Sequence, residues 1–220
     1  MLKRLVIAGG CAIALAGCTT DRPEDVISRY GYAVAVPPTR NYGLGNLVYK
    51  RTNPSNSENE ITLGYICSPE YVRFPGDPEK STSETVASAM NKTFSFNAGF
   101  LQQLGLTLSA KYVDSFTMSF KNTEVQEYAL DKLSDIRDTL GPKCADILAA
   151  MKRKNNAYQV VSAFKADLDY KIDYSANVSA DVKPAVMQEL SAEFGIDISG
   201  ERGRVGKDLF YGVYVEPAGG

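Results

Sequence analysis

Apolar and polar residues alternate along Phe164, Ala166, Leu168, Tyr170, Ile172 and Tyr174, with Lys165, Asp167, Asp169, Lys171 and Asp173 between them. A period of two with one charged side predicts a long strand inside 158–178, wet on one face, as in an antiparallel sheet. Shorter runs of the same kind predict strands at 30–36, where Pro37-Pro38 should end the run, and at 47–49, 61–67, 71–74, 106–108, 116–120, 196–199 and 209–215. The period shifts to three and four along Val86, Met90, Phe94, Ala98, Leu101 and Leu104, which predicts a helix over 84–104 closed by Gly105. Phe94-Ser95-Phe96 alone also fits a strand. Thr123 with Gln126 has the spacing of a capping box, and Val125, Ala129, Leu133, Ile136 and Leu140 follow it as a helical face. Gly141-Pro142 ends that helix and opens another over 143–151. Lys152-Arg153-Lys154 sits in its last turn, where positive charge suits the carbonyl end. Asp181 is placed to cap a helix carrying Val182, Val186, Leu190 and Phe194.

Residues 51–60 hold no apolar side chain and read as a loop, and Pro75-Gly76-Asp77-Pro78 as a turn. The stretch 104–111, Leu-Gly-Leu-Thr-Leu-Ser-Ala-Lys, parallels 194–201, Phe-Gly-Ile-Asp-Ile-Ser-Gly-Glu. Each follows a helical pattern and precedes a strand pattern. This suggests a β-α-β-β unit used twice, in halves 61–121 and 157–216 around central helices over 124–153, although helix-Gly-strand junctions are common in unrelated places. The expected class is α+β, an antiparallel or mixed sheet with helices on one side, in a single domain over 26–220.

The N-terminus has a different character. Met1-Leu2-Lys3-Arg4 is positive, and Leu5 to Ala16 is apolar but shorter than the roughly 20 residues that span a bilayer. Leu15-Ala16-Gly17-Cys18 follows directly. This stretch resembles the lipobox of bacterial lipoproteins: Leu, two small residues, then Cys. The resemblance implies cleavage before Cys18, a diacylglycerol thioether on Cys18 and an acyl chain on the new amine. Residues 1–17 are then a signal peptide and 18–25 a short lipidated tether. The inner-membrane retention signal of that family is typically Asp after the cysteine. In a cell with two membranes, Thr19 therefore implies the outer membrane, facing the periplasm or, alternatively, exposed at the surface. An ordinary secretory leader is the alternative reading of the same residues.

Composition narrows the chemistry. Cleavage leaves 203 of 220 residues, enough for a sizeable core, and removes Lys3 and Arg4, so 22 basic residues face 26 acidic ones. That balance offers neither a nucleic-acid footprint nor a polybasic patch for anionic lipid, so membrane contact is expected through the lipid alone. The chain has no His and no Trp. Without His, the Ser-His and Cys-His arrangements and the usual zinc ligand sets are excluded. Cys11 leaves with the leader and Cys18 carries lipid. Cys67 and Cys144 remain, and in an oxidising compartment they are expected to form one disulfide.

Other constellations are weak. Residues 200–207, Gly-Glu-Arg-Gly-Arg-Val-Gly-Lys, lack the first glycine and the hydroxyl residue of a phosphate loop, and read as a glycine-rich turn between strands. Leu133-Ser134-Asp135-Ile136-Arg137 resembles a fragment of outer-membrane-protein-A-like peptidoglycan-binding domains, whose arginine helps hold a diaminopimelate carboxylate. Arg137 matches that arginine. Leu130 departs from the family's Asn, and an amphipathic helix with an exposed Arg137 is the other reading. Asp167, Asp169 and Asp173 alternate with Lys165 and Lys171, the pattern of a solvated, charge-balanced sheet face. Thirteen tyrosines suit a glycan or ligand groove, or simply straddle core and water. No catalytic residue, metal ligand or cofactor site is assigned. The expected function is a membrane-anchored binding or scaffolding module that meets an envelope protein or peptidoglycan. A His-free hydrolase is a further alternative for which no residues can be named.

Overall fold

The structure, a computed structural model, describes residues 21–52, 61–68, 79–80 and 85–218. The leader, Cys18, Thr19, the expected strand at 71–74, the turn at 75–78 and most of the loop 51–60 lie outside the described residues.

The class is α+β. Its spine is the alternating run itself, strand β7 (Tyr158–Tyr174), flanked along its length by β6 (Val113–Glu127) and β8 (Arg202–Pro217), both antiparallel to it. Beyond β8 lies β1 (Ala33–Thr39). At the start of β7, Leu47 and Val48 of β2 (Leu47–Thr52) pair with Gln159 and Tyr158, and β2 pairs onward with β3 (Ile61–Cys67). β4 (Glu79–Lys80) and β5 (Thr93–Asn97) pair with β6. All the described ladders are antiparallel.

Phe164, Ala166, Leu168, Tyr170 and Ile172 are buried on one face of β7. Against that face lie α1 (Pro23–Arg29), α2 (Thr85–Met90), α3 (Ala98–Gln103), α4 (Thr107–Tyr112) and α7 (Lys183–Phe194). At the centre, Phe194 of α7 meets Phe96 of β5 and Phe116 of β6, with ring centroids 4.9 and 5.0 Å away. Such pairs add about 0.5–1.5 kcal/mol each beyond the area they bury. The remaining helices, α5 (Leu130–Asp138) and α6 (Pro142–Lys152), pack at the other end of the molecule, near β2, β3 and the start of β7.

Several expected elements differ, and tertiary packing decides each case. The helix expected over 84–104 is α2, β5 and α3 in succession. Phe94 and Phe96 both point into the core from a strand paired to β6, and the Asn97 side chain then caps α3 by accepting from Phe100 N at 2.9 Å. The strand expected at 106–108 belongs to α4. Glu189 of α7 supplies its missing cap, accepting from Leu108 N, Ser109 N and Ser109 Oγ. The helix expected from Thr123 is still β6. An irregularity at Asn122, whose φ is +49°, shifts the register there, and pairing with β7 resumes from Glu124 to Glu127. Residues 196–199 form no strand; Ile196 and Ile198 are buried beside the end of α7 instead. The chain passes Gly195 in the left-handed region at φ +61°, as helix C-termini often do. Val182, not Asp181, is the N-cap of α7, with no side-chain cap bond. The glycines of 200–207 lie partly within β8, where the Tyr170 ring rests against Gly203. The twofold β-α-β-β unit is therefore not the arrangement of this chain. The prolines 37 and 38 do not end β1, which continues to Thr39 along the sheet edge, where a missing N–H is tolerated. The fold also starts earlier than expected: Pro23 opens α1, and Val26 and Ile27 are in the core.

The wet face of the sheet carries the charges the alternation implied. Asp169 accepts from Lys121 Nζ at 2.7 Å and Arg204 Nε at 2.9 Å. Asp167 accepts from Asn122 Nδ2 and from the Asp208 backbone N–H. Lys165 lies between Glu124 and Asp208. The Arg204 and Lys121 hydrogen bonds hold the Asp169 carboxyl below its ordinary range, and Asn122 does the same for Asp167. A lowered folded pKa contributes stability that is present above the unfolded value, here near 3.8, and is lost as pH falls through the folded value. The midpoint of urea unfolding is therefore expected to fall steadily as pH drops below about 4. Asp169→Asn should flatten that acid limb while leaving the curve near neutrality only slightly lowered. An acid limb unchanged by the substitution would show that these bridges are energetically idle.

Candidate functional site

Asp21 and Arg22, the first described residues, pair with the domain. Arg29 Nη2 meets Asp21 Oδ1 at 3.1 Å, and Arg22 Nη2 meets Glu193 Oε1 of α7 at 3.0 Å. The Arg22 guanidinium also lies 6.0 Å from the centre of the Phe194 ring. Beside it is a small, largely apolar cavity of about 20 Å³, lined by Glu24 of α1, Val36 of β1, Ile196 and Tyr211 of β8 among others. That volume matches about one water. The Tyr211 hydroxyl is buried there without a hydrogen-bond partner among the described residues, Glu24 Oε2 lies 3.4 Å from Arg22 Nε, and burial pushes the pKa values of both Tyr211 and Glu24 up.

A larger cleft of about 310 Å³ opens where the loop after β1 crosses the sheet. Arg40, Asn41, Gly43, Leu44 and Asn46 come from that loop, Tyr65 and Ser68 from the end of β3, Gln126 and Tyr128 from the end of β6, and Phe210 from β8. The loop makes a 3-10 turn at Arg40–Tyr42, with Asn41 N donating to Thr39 Oγ1. Several bonds then fix it. Tyr42, buried, donates its hydroxyl to the Leu63 carbonyl at 2.8 Å. Gly45 N donates to the Val160 carbonyl, and Val160 N to the Asn46 carbonyl. Gly45 has φ +75°, a backbone state that glycine adopts without strain. Asn46, 4% exposed, reaches back with Nδ2 to the Asn41 carbonyl at 2.7 Å.

Beneath this loop lies Gln159 of β7, 2% exposed. Its Nε2 donates to the Gly45 and Leu133 carbonyls, each at 3.2 Å, and its Oε1 accepts from Arg137 Nη1 at 2.6 Å. One buried amide thus joins the cleft loop, α5 and the sheet. Arg137 is half-buried and turned onto Gln159, and it is not among the residues that line the cleft. Neither Gln159 nor Arg40 was singled out by sequence reasoning. A glutamine in a strand and an arginine after a proline pair carry no periodic signal.

The structure brings Cys67 at the end of β3 and Cys144 in the first turn of α6 together, with Cα atoms 6.1 Å apart, inside the range a disulfide needs. Among the described residues, no group of three or more Cys, Asp or Glu is placed to hold a metal ion, and no helix is long and apolar enough to cross a membrane.

No family model matches the chain, and no curated protein matches it. Among solved structures, a bacterial gasdermin from Bradyrhizobium tropiciagri is similar at 14% identity and a TM-score of 0.39, over 88% of this chain and 84% of that one. A likeness that distant carries no argument about this chain.

Two outcomes follow from these contacts. Gln159→Leu removes three hydrogen bonds, those to the Gly45 and Leu133 carbonyls and from Arg137, at about 1–3 kcal/mol for a buried group left unpaired. Urea unfolding should show a loss of about 2–4 kcal/mol, well above that of Arg137→Ala, which removes one donor; equal losses would contradict the junction. For the cysteines, alkylation of native protein without reductant should leave both thiols unlabelled, whereas two labels would show free thiols. The bridge would close a loop across a separation of 77 residues, worth about 4 kcal/mol in the chain-entropy model.

Proposed function

We propose that this chain is a bacterial envelope lipoprotein, held at the membrane by lipid on Cys18, whose α+β domain acts by binding or scaffolding. The Leu15-Ala16-Gly17-Cys18 leader carries the reading. A second feature supports it. Asp21 and Arg22 already pair with the domain, so only three peptide steps separate the anchor residue from folded structure. Fully extended, they reach about 11 Å. A single acyl chain holds a protein only marginally, and a multiply acylated cysteine holds it stably. Thr19 after the cysteine favours the outer membrane, periplasmic side. The binding surface of this reading is the cleft beside Arg40. Peptidoglycan remains a ligand of the same reading, though Arg137 faces Gln159 instead of the cleft.

Mass spectrometry of the N-terminal peptide is expected to show diacylglycerol on Cys18. Cys18→Ala should release the protein from the membrane fraction. An unmodified Cys18, or a variant that stays membrane-bound, would overturn the anchor.

A further inference from the structure

We propose that the cleft beside Arg40 is a saccharide site selective for sugars that carry a carboxylate; this rests on reading the domain as a binding module. A volume of about 310 Å³ is at the small end of ligand sites, which run from roughly 300 to 1,000 Å³, and suits a small saccharide. The lining has the two surfaces a sugar needs. Tyr65, 39% exposed, and Phe210 offer aromatic surface for the apolar C–H face of a ring. The side-chain amides of Asn41 and Gln126 and the hydroxyl of Ser68 offer both donors and acceptors for ring hydroxyls and acetamido groups. Tyr65 and Ser68 are already tied by a 2.8 Å hydrogen bond between their hydroxyls, and Gln126 Nε2 is oriented by Glu124 Oε1 at 2.7 Å.

Charge supplies the selectivity. No carboxylate is among the described residues lining the cleft, and Arg40 is its charged group. Arg40 is exposed and donates to a backbone carbonyl, that of Lys207, at 3.3 Å. Among the described residues it forms no salt bridge with an acidic side chain. A guanidinium presents a planar fork of donors that matches a carboxylate in two parallel hydrogen bonds. The loop that carries it is fixed to β7 at Gly45 and Asn46 before any ligand arrives, so little ordering accompanies binding.

The test uses the mature, lipidated protein in detergent micelles, titrated by calorimetry with N-acetylmuramic acid and N-acetylglucosamine. The two rings are alike, and the first adds a lactyl carboxylate. The acid is expected to bind about tenfold or more tightly than the neutral sugar. Arg40→Gln should abolish that difference while the neutral sugar binds as before; Tyr65→Ala should weaken both. Arg40 is exposed, and an unchanged melting curve will confirm that its variant folds. Galacturonate distinguishes the source. Binding of both acids points to uronate-bearing glycans as well as wall sugars, and binding of N-acetylmuramic acid alone points to the wall; either result supports the site. Equal affinity for acid and neutral sugars, an unaffected Arg40→Gln variant, or no saturable binding would overturn it. The same preparation is also passed over envelope extract. Capture of a single protein partner without saccharide binding would overturn the saccharide site and leave the binding-module reading standing.

Discussion

The side chain of Gln159 is buried where three parts of the molecule meet, and its amide must be satisfied there. Two N–H donors and one carbonyl acceptor leave a small choice of partners: two backbone carbonyls and a guanidinium. In a low-dielectric interior, a half-satisfied amide is worse than an apolar side chain, so the junction constrains everything it touches. It sets the height of the Gly45 loop over the sheet. It brings the Leu133 turn of α5 against β7. It turns Arg137 inward. The cleft loop is held to the sheet by this amide and by the Gly45 and Asn46 backbone bonds to Val160, and within the lining by the Asn46 side chain on the Asn41 carbonyl.

The two faces of the sheet work by different physics. On the helical side, closely packed aromatic and aliphatic side chains hold α1, α2, α3, α4 and α7 to the strands. On the other side, carboxylates alternate with cations across three strands and stay in water. Exposed pairs contribute little individually. Their denser effect is on register: a slip of one residue in β6 or β8 would place Lys121 or Arg204 on the apolar face and phenylalanines in solvent. Where β6 does lose register, at Asn122, the irregular residue is itself used, its amide donating to Asp167.

The long strand, its wet face and the apolar faces of α5 and α7 were legible because period specifies them, and α6 because Gly141-Pro142 opens it and Lys152-Arg153-Lys154 suits its last turn. The failures share a cause. Residues 84–104 satisfy a helical stripe and a strand alternation at once, and only the presence of β6 beside Phe94 and Phe96 selects the strand. Leu106 and Leu108 alternate as strand residues do, yet Glu189, 80 residues further along the chain, caps them into a helix. No local pattern contains that information. The capping-box spacing at Thr123 was matched by chance, since Val125 is buried from a strand. The cleft was legible only as an abundance of tyrosine. Its loop is irregular, and its position depends on a buried amide contributed by β7.

The edge strand β1 has a further consequence. Ala33 pairs with Val213 and Val34 with Gly212, so the first strand of the domain completes its hydrogen bonds only with the last. Pairings this distant in sequence form slowly, because a long loop must close before any contact rewards it. A chain that emerges N-terminus first can therefore pack α1 on α2 early, but β1 has no ladder among the described strands until β8 has appeared. This edge of the sheet is therefore a late contact, 180 residues apart in the chain at Ala33 and Val213, while the β2–β3 and β5–β6 ladders are available from nearby chain well before it.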